Sequence, residues 1–250
     1  MKYELRIAWL YPDLMSTYGD RGNVIVLEKR CQWREIGVKV IPITLETPAA
    51  DLTSCDLIFM GGAQDRQQKL AALDFLKKKA SIVKGMVDRG IPGLFVCAAY
   101  QFMGHYYRPY KGRDIPGAGI FDLVTLHPGD QAKRLIGNVV AQIINPPQLA
   151  GHTIVGFENH GGRTTLGPKT QPLARVKKGY GNNGEDGYEG ALYGNSIGSY
   201  FHGPFLPKNP SIADFLIASS LKMKYGKRLI LEPLDDNLEH RAQEAIIQKL

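Results

Sequence analysis

Only three cysteines, Cys31, Cys55 and Cys97, occur in the 250 residues, too few and too unevenly spaced for a disulfide framework. No Cys-x-x-Cys pair or Cys/His cluster has the spacing that holds zinc. No apolar run approaches the ~18 residues of a membrane span, and the charges through Met1-Lys-Tyr-Glu-Leu-Arg6 leave no signal-peptide core. Internal repeats and low-complexity tracts are missing too, which excludes solenoids and disordered linkers. These absences lead to the expectation of a soluble protein of the reducing cytoplasm, neither exported nor spanning a membrane.

With 44% hydrophobic and 22% charged residues, the chain can bury one large core or two modest ones. Lysine plus arginine exceeds aspartate plus glutamate by 31 − 24 = 7. The excess gathers locally at Lys77-Lys78-Lys79 and Lys222 to Arg228, which read as solvated faces. Dispersed basic residues without a recognition motif argue against nucleic acid as a partner.

Residues 3 to 11, 38 to 45, 55 to 60 and 91 to 96 are apolar, partly β-branched runs closed by glycine, proline or a polar turn, and read as strands. Between them the pattern turns helical. Val24 to Ile36 is one helix, stopped by Gly37; Leu73, Leu76, Ala80, Val83 and Val87 form the apolar stripe of another, which ends at Gly90 and Pro92. Alternating strands and helices predict an α/β fold: a mostly parallel central sheet with helices on both faces. From about residue 112 the texture changes, with 18 of the 28 glycines between Gly112 and Gly203. Antiparallel strands added to the same sheet are expected there, followed by helices over Ser211 to Lys224 and Asp235 to Leu250. The division expected is a single domain over 1–250: a βα half (1–110), a glycine-rich strand and loop half (111–210) and C-terminal helices (211–250).

In such sheets ligands bind beyond the strand C-termini. Three loops should meet there: Tyr18-Gly-Asp-Arg-Gly-Asn23, Gly61-Gly62-Ala-Gln-Asp65 and the turn at Cys97. Cys97 ends the run Ile91-Pro-Gly-Leu-Phe-Val-Cys97 just before the helical Ala98-Ala-Tyr-Gln101-Phe-Met-Gly104. A thiol on a sharp strand-to-helix turn is presented to solvent and faces the helix N-terminus. An ordinary thiol is only a few per cent thiolate at neutral pH, so a nucleophile needs a dipole, cation or base nearby. Of six histidines, His202 in Ser199-Tyr-Phe-His202-Gly-Pro204 is best placed to be that base, just past a short aromatic strand end; a capping or surface role is the alternative. Backbone N–H groups at Ala98 and in Gly61-Gly62 would serve a developing oxyanion if the loops meet. Cys31 and Cys55 read as core residues, and His105, His127, His152 and His240 show no partner pattern.

Cys97 with Gln101 four residues on, and the late His202, resemble the class I (triad-type) glutamine amidotransferases. Gly156-Phe-Glu-Asn-His160-Gly-Gly-Arg-Thr164 narrows the resemblance to the branch related to cobyric acid synthase. Leu10-Tyr-Pro-Asp-Leu-Met15, Tyr18 to Asn23 and Phe201 to Pro210 narrow it further, to the small glutaminase subunits of lipid II amidating synthases. The resemblance runs over most of the chain. It implies a class I amidotransferase (flavodoxin-like) fold and hydrolysis of L-glutamine by Cys97 and His202, with the amides of Gly62 and Ala98 as oxyanion donors. Ammonia would pass to a Mur-ligase-like (MurT-type) partner, which holds ATP and Mg²⁺ and amidates the D-glutamate of lipid II; this chain itself would need no cofactor or metal. The resemblance also assigns Arg134 to the glutamine α-carboxylate, and Gln101 and Asn159 to the substrate pocket. His160 would be a pocket-lining loop former rather than a base.

Two positions depart from the family pattern. Phe95 and Ala99 stand where small residues flank the cysteine, so Phe95 must point away from the turn. Pro204 stands where the usual triad has its carboxylate. A partner carboxylate is one candidate for the missing orienter and Glu158 is another. Competing readings are a glutaminase serving another, cobyric acid synthase-like enzyme, a stand-alone cysteine hydrolase, and a non-catalytic scaffold subunit.

Overall fold

A computed structural model describes residues 2–63, 65–202 and 204–249. Gln64 in the expected glycine loop, Gly203 after the candidate histidine, and the end residues Met1 and Leu250 lie outside the described residues. The first half alternates β1 (Glu4–Leu10), α1 (Arg21–Gln32), β2 (Gly37–Ile43), β3 (Leu57–Met60), α2 (Asp65–Asp74), α3 (Ala80–Asp88), β4 (Gly93–Val96) and α4 (Ala98–Phe102). Then follow β5 (Tyr106–Arg108), β6 (Ile115–Pro116), β7 (Leu123–Leu126), β8 (Leu135–Ile143), β9 (Thr153–His160), β10 (Arg163–Leu166), β11 (Ala174–Lys178), β12 (Tyr188–Glu189), β13 (Ala191–Tyr193) and β14 (Ser196–Ser199). α5 (Pro210–Tyr225) and α6 (Asn237–Ile247) close the chain.

The main sheet has six strands in the order β13-β14-β4-β3-β1-β2. All its pairings are parallel except β13 with β14. Side chains alternate between its faces. Leu57, Phe59, Leu94 and Val96 join α1, α5 and β8 in one apolar cluster, while Ile58, Met60 and Phe95 join α3 and α4 in the other. The α/β class is therefore as the sequence implied.

The antiparallel extension differs from expectation. Only β13 extends the main sheet in that sense; the remaining strands form two separate four-stranded sheets, β10-β7-β5-β6 and β12-β11-β8-β9. Their runs range from two to nine residues, and an apolar alternation of any length carries no signal of which edge it pairs with. Val139 and Ala141 of β8 pack into the same cluster as the main sheet, which seats the second half on the first.

The helix expected over 24–36 runs Arg21–Gln32, because Glu35 turns left-handed (φ 54°) and the Ile36 amide closes onto the Cys31 carbonyl before Gly37 is reached. The expected stripe 73–87 is interrupted by a π-helical segment, Phe75–Lys79, between α2 and α3. The wider turn shifts the phase of the side chains: Phe75 is buried while Leu73 is 67% exposed. It also brings Lys79 of the supposedly solvated lysine cluster inside, paired with Asp74, whose carboxylate accepts the Tyr11 hydroxyl at 2.8 Å.

Candidate active site

β3 and β4 are neighbours, so the loops after them emerge side by side. The chain leaves β4 at Cys97 with φ 53° and ψ −104°, a conformation that costs a non-glycine residue on the order of 1–3 kcal/mol. Flanking structure holds it there: the Cys97 amide donates to the Ser199 carbonyl of β14 at 2.8 Å, and its carbonyl accepts the Gln101 amide at 3.0 Å. Phe95 turns to the opposite face, as the sequence required. It lies over Gly93, where a methyl group would stand 2.6 Å from its ring, and meets Phe121 edge-on at 5.9 Å.

His202 comes from the far end of the sequence and is fixed through its backbone, whose amide donates to the Phe157 carbonyl at 2.8 Å. A methyl group placed on Gly62 would stand 2.9 Å from His202 Cε1 and 3.3 Å from Cys97 Cβ. Thiol, imidazole and glycine loop thus converge, and only a glycine leaves room for the ring. Cys97 is half-buried, whereas His202 is almost fully enclosed. Ala98 opens α4, where a first-turn amide has no acceptor within its own helix.

Sequence reasoning missed Asp20. Its carboxylate is fully buried; Oδ1 lies 3.6 Å from His202 Nδ1, and Oδ2 accepts the Gly62 amide at 2.6 Å. Burial disfavours charge on His202, but the negative charge that Cys97 can carry and the Asp20 carboxylate outweigh it and push the imidazole up to about 10. Neither ring nitrogen, nor Asp20 Oδ1, has a formed hydrogen bond among the described residues. The loop from Tyr18 to Asn23 was expected at the crevice, but nothing in it marks which side chain would reach a histidine so remote in sequence. Tyr18, at φ 60°, lays its ring edge-on to His202 at 4.8 Å.

Glu158 does not orient His202. Its two oxygens accept the Tyr180 and Gly181 amides at 2.8 and 2.9 Å, and it lies 3.8 Å from His160 Nε2. His160 is buried and stacks flat on Tyr200 at 3.6 Å, with Nδ1 2.8 Å from the Gly162 carbonyl. Burial pulls its titration down and keeps it neutral, which suits a loop former. Gln101 is likewise committed beneath the elbow, donating to the Tyr200 hydroxyl at 3.1 Å. Arg134 is exposed just before β8 and donates to Asn159 Oδ1 at 3.1 Å and to the Asn159 carbonyl at 3.0 Å; Asn159 Nδ2 in turn donates to the Tyr18 hydroxyl at 3.1 Å. Arg134, Asn159 and Tyr18 thus form a chain toward His202. No group of three or more potential metal-ligating side chains occurs among the described residues.

A cysteine on a strained strand-to-helix turn, an enclosed imidazole beside it and a glycine loop against both lie together at the C-terminal edge of a parallel α/β sheet. Residues 6–210 match the CobB/CobQ-like glutamine amidotransferase domain, and the chain belongs to that family. It is 39% identical to the lipid II isoglutaminyl synthase (glutamine-hydrolyzing) subunit GatD of Staphylococcus aureus (strain N315), covering 99% of this chain and 96% of that one. To the subunit of the same name from Streptococcus pneumoniae (strain ATCC BAA-255 / R6) it is 38% identical, over 97% and 90%. A crystal structure of a glutamine amidotransferase superposes with a TM-score of 0.59 at 12% identity, covering 85% of this chain and 98% of that one, which speaks to the fold.

Proposed function

We propose that this chain is the glutamine-hydrolysing subunit of a lipid II isoglutaminyl synthase. The observation that carries the proposal is the convergence of Cys97, His202 and Gly62 in a chain similar over nearly its whole length to two such subunits. The likeness to a cobyric acid synthase, 31% identical, covers only 38% of that protein, which supports the separate-subunit reading over the cobyric one.

The Cys97 thiolate attacks the side-chain amide carbon of glutamine. Negative charge develops on the amide oxygen, where the N–H groups of Gly62 and Ala98 receive it, each such donor contributing ~10²- to 10³-fold in rate. His202, held charged by its surroundings, gives a proton to the departing nitrogen and ammonia leaves. The ring, now neutral, takes a proton from water, whose attack on the thioester releases glutamate and regenerates Cys97. Arg134 offers the only fork-shaped donor in the Arg134–Asn159–Tyr18 chain for the substrate's α-carboxylate. The ammonia passes to a Mur-ligase-like partner in the cytoplasm, which activates the D-glutamate α-carboxyl of lipid II with ATP and Mg²⁺. The lipid-linked substrate is met through that partner; no helix among the described residues of this chain is long and apolar enough to cross a membrane.

The test is reconstitution with the partner, lipid II, ATP and Mg²⁺, with amidation followed by mass spectrometry. Cys97→Ala should abolish amidation from glutamine and leave amidation from added ammonium intact. Glutamine-dependent amidation by Cys97→Ala would overturn the assignment.

A further inference from the structure

Asp20 occupies two seats at once and fills only one of them well. Oδ2 takes the Gly62 amide at 2.6 Å, while Oδ1 stops 3.6 Å short of His202 Nδ1, beyond the ~2.7–3.2 Å of a hydrogen bond. Its carboxylate caps no helix amide, although the residue immediately precedes α1. The Gly62 amide is the donor that the developing oxyanion of the thioester-forming step requires. An anion already resting on it repels that oxyanion and withholds the donor. Meanwhile His202 lies enclosed with both ring nitrogens unpartnered, as is Asp20 Oδ1, among the described residues.

The segment that carries Asp20 is tied down at Thr17 and Tyr18. The Thr17 amide donates to the Gly62 carbonyl at 3.1 Å. Tyr18 takes a left-handed backbone (φ 60°), rests its ring on His202 and accepts Asn159 Nδ2 at 3.1 Å. Asn159 is held by Arg134, whose guanidinium is exposed.

We infer that residues 17–20 form a latch on the oxyanion site, in which Asp20 rests on the Gly62 amide in the closed state and moves onto His202 Nδ1 in the productive state. This rests on the reading of Cys97 and His202 given under Proposed function. A carboxylate that engages Arg134 competes with Asn159 for the same donors. Asn159 then loosens its hold on Tyr18, the segment relaxes, and Asp20 transfers from the amide to the ring. The transfer frees the oxyanion donor and fixes the imidazole in a single motion, so that catalytic competence follows substrate arrival. Asp20 is a positioning residue: it acts through His202 and Gly62 and does not itself touch the amide being cleaved.

Three variants of the full chain, each assayed alone and with its ligase partner, separate the parts of this device. The readouts are kcat and KM for glutamine and the rate at which 6-diazo-5-oxo-L-norleucine alkylates Cys97, with thermal melting as a check of folding. Tyr18→Phe removes the hydroxyl tie, worth one net hydrogen bond, and should raise the labelling rate about 5-fold. Asp20→Asn keeps an acceptor for the Gly62 amide but cannot stabilise the imidazolium; its kcat should fall by about 10²- to 10⁴-fold, the upper figure being that of a lost triad carboxylate. Asp20→Ala empties the Gly62 seat, so KM should fall or hold while kcat drops. Labelling of Tyr18→Phe that is unchanged or slower overturns the latch. Undiminished kcat in Asp20→Asn, whether in the free chain or only in the complex where a partner carboxylate takes over, overturns the His202 seat. Failure of the wild-type chain to label at all sinks the underlying reading instead, so the two failures are distinguishable.

Discussion

Replacing Cys97 with serine should lower the titration of His202 and leave the fold unchanged. Two influences act on that ring. Burial disfavours its charge, while the negative charge available to Cys97, followed by Asp20, favours it and prevails, carrying the imidazole from the ordinary 6.5 to about 10. A rise of that size corresponds to on the order of 5 kcal/mol in favour of the charged ring. Because the folded value lies above the unfolded one, this contribution to stability is fully present below pH 6.5 and is lost as pH rises through about 10. A facing opposite charge typically accounts for ~1–3 pH units of such a shift. Cys97→Ser should therefore bring the midpoint down by about that much and flatten the stability-against-pH curve above pH 6.5. NMR of the chain labelled at histidine Cε1 follows the titration, with the His202 resonance assigned by its loss in His202→Asn. A wild-type midpoint near 6.5, or an equal midpoint in both proteins, would refute the coupling of thiol and imidazole.

Gly62→Ala keeps the backbone N–H but its methyl group would stand 2.9 Å from His202 Cε1 and must displace the ring, so kcat should fall by about 10²-fold with little change in melting temperature. Glu158→Gln should cost about 1–3 kcal/mol in denaturant unfolding, since a buried charged acceptor of two amides is replaced by a neutral one, yet the folded variant should retain turnover. Burial, ahead of the opposing bonds from Ser199 and the Tyr200 amide, raises the Glu189 carboxyl from 4.5 to about 7. The folded state thus holds a proton that the unfolded state releases, and stability should decline by about 3 kcal/mol as pH rises from 4.5 to 7. Urea midpoints across that range should show the decline in the wild type and a flatter line in Glu189→Gln.

Much of this was legible in the sequence because strand periodicity and glycine punctuation are local. The four runs at 3–11, 38–45, 55–60 and 91–96 carry their strands nearly to the residue, and a cysteine at the end of one of them declares a turn. His202 was legible as the residue that follows an aromatic strand end. What stayed hidden depends on contacts between distant segments. Asp20 is an ordinary turn carboxylate until β1 and β3 pair and set its loop against Gly62. Glu158 looked available until Tyr180 and Gly181 folded back onto it. The π-helical segment was masked because its residues satisfy an α-helical spacing on paper, and only the burial of Phe75 and Lys79 reveals the change of phase.

The central claim, that Cys97 alone among the thiols is the nucleophile toward glutamine, is tested most directly by mapping where a glutamine-mimicking diazoketone attaches. Cys31 is fully buried with its thiol pushed up to about 12, and burial raises Cys55 as well. Tryptic mass spectrometry after treatment with 6-diazo-5-oxo-L-norleucine should find one adduct, on the peptide containing Cys97, and competition by L-glutamine should suppress it. An adduct on Cys31 or Cys55, or labelling indifferent to glutamine, would contradict the account.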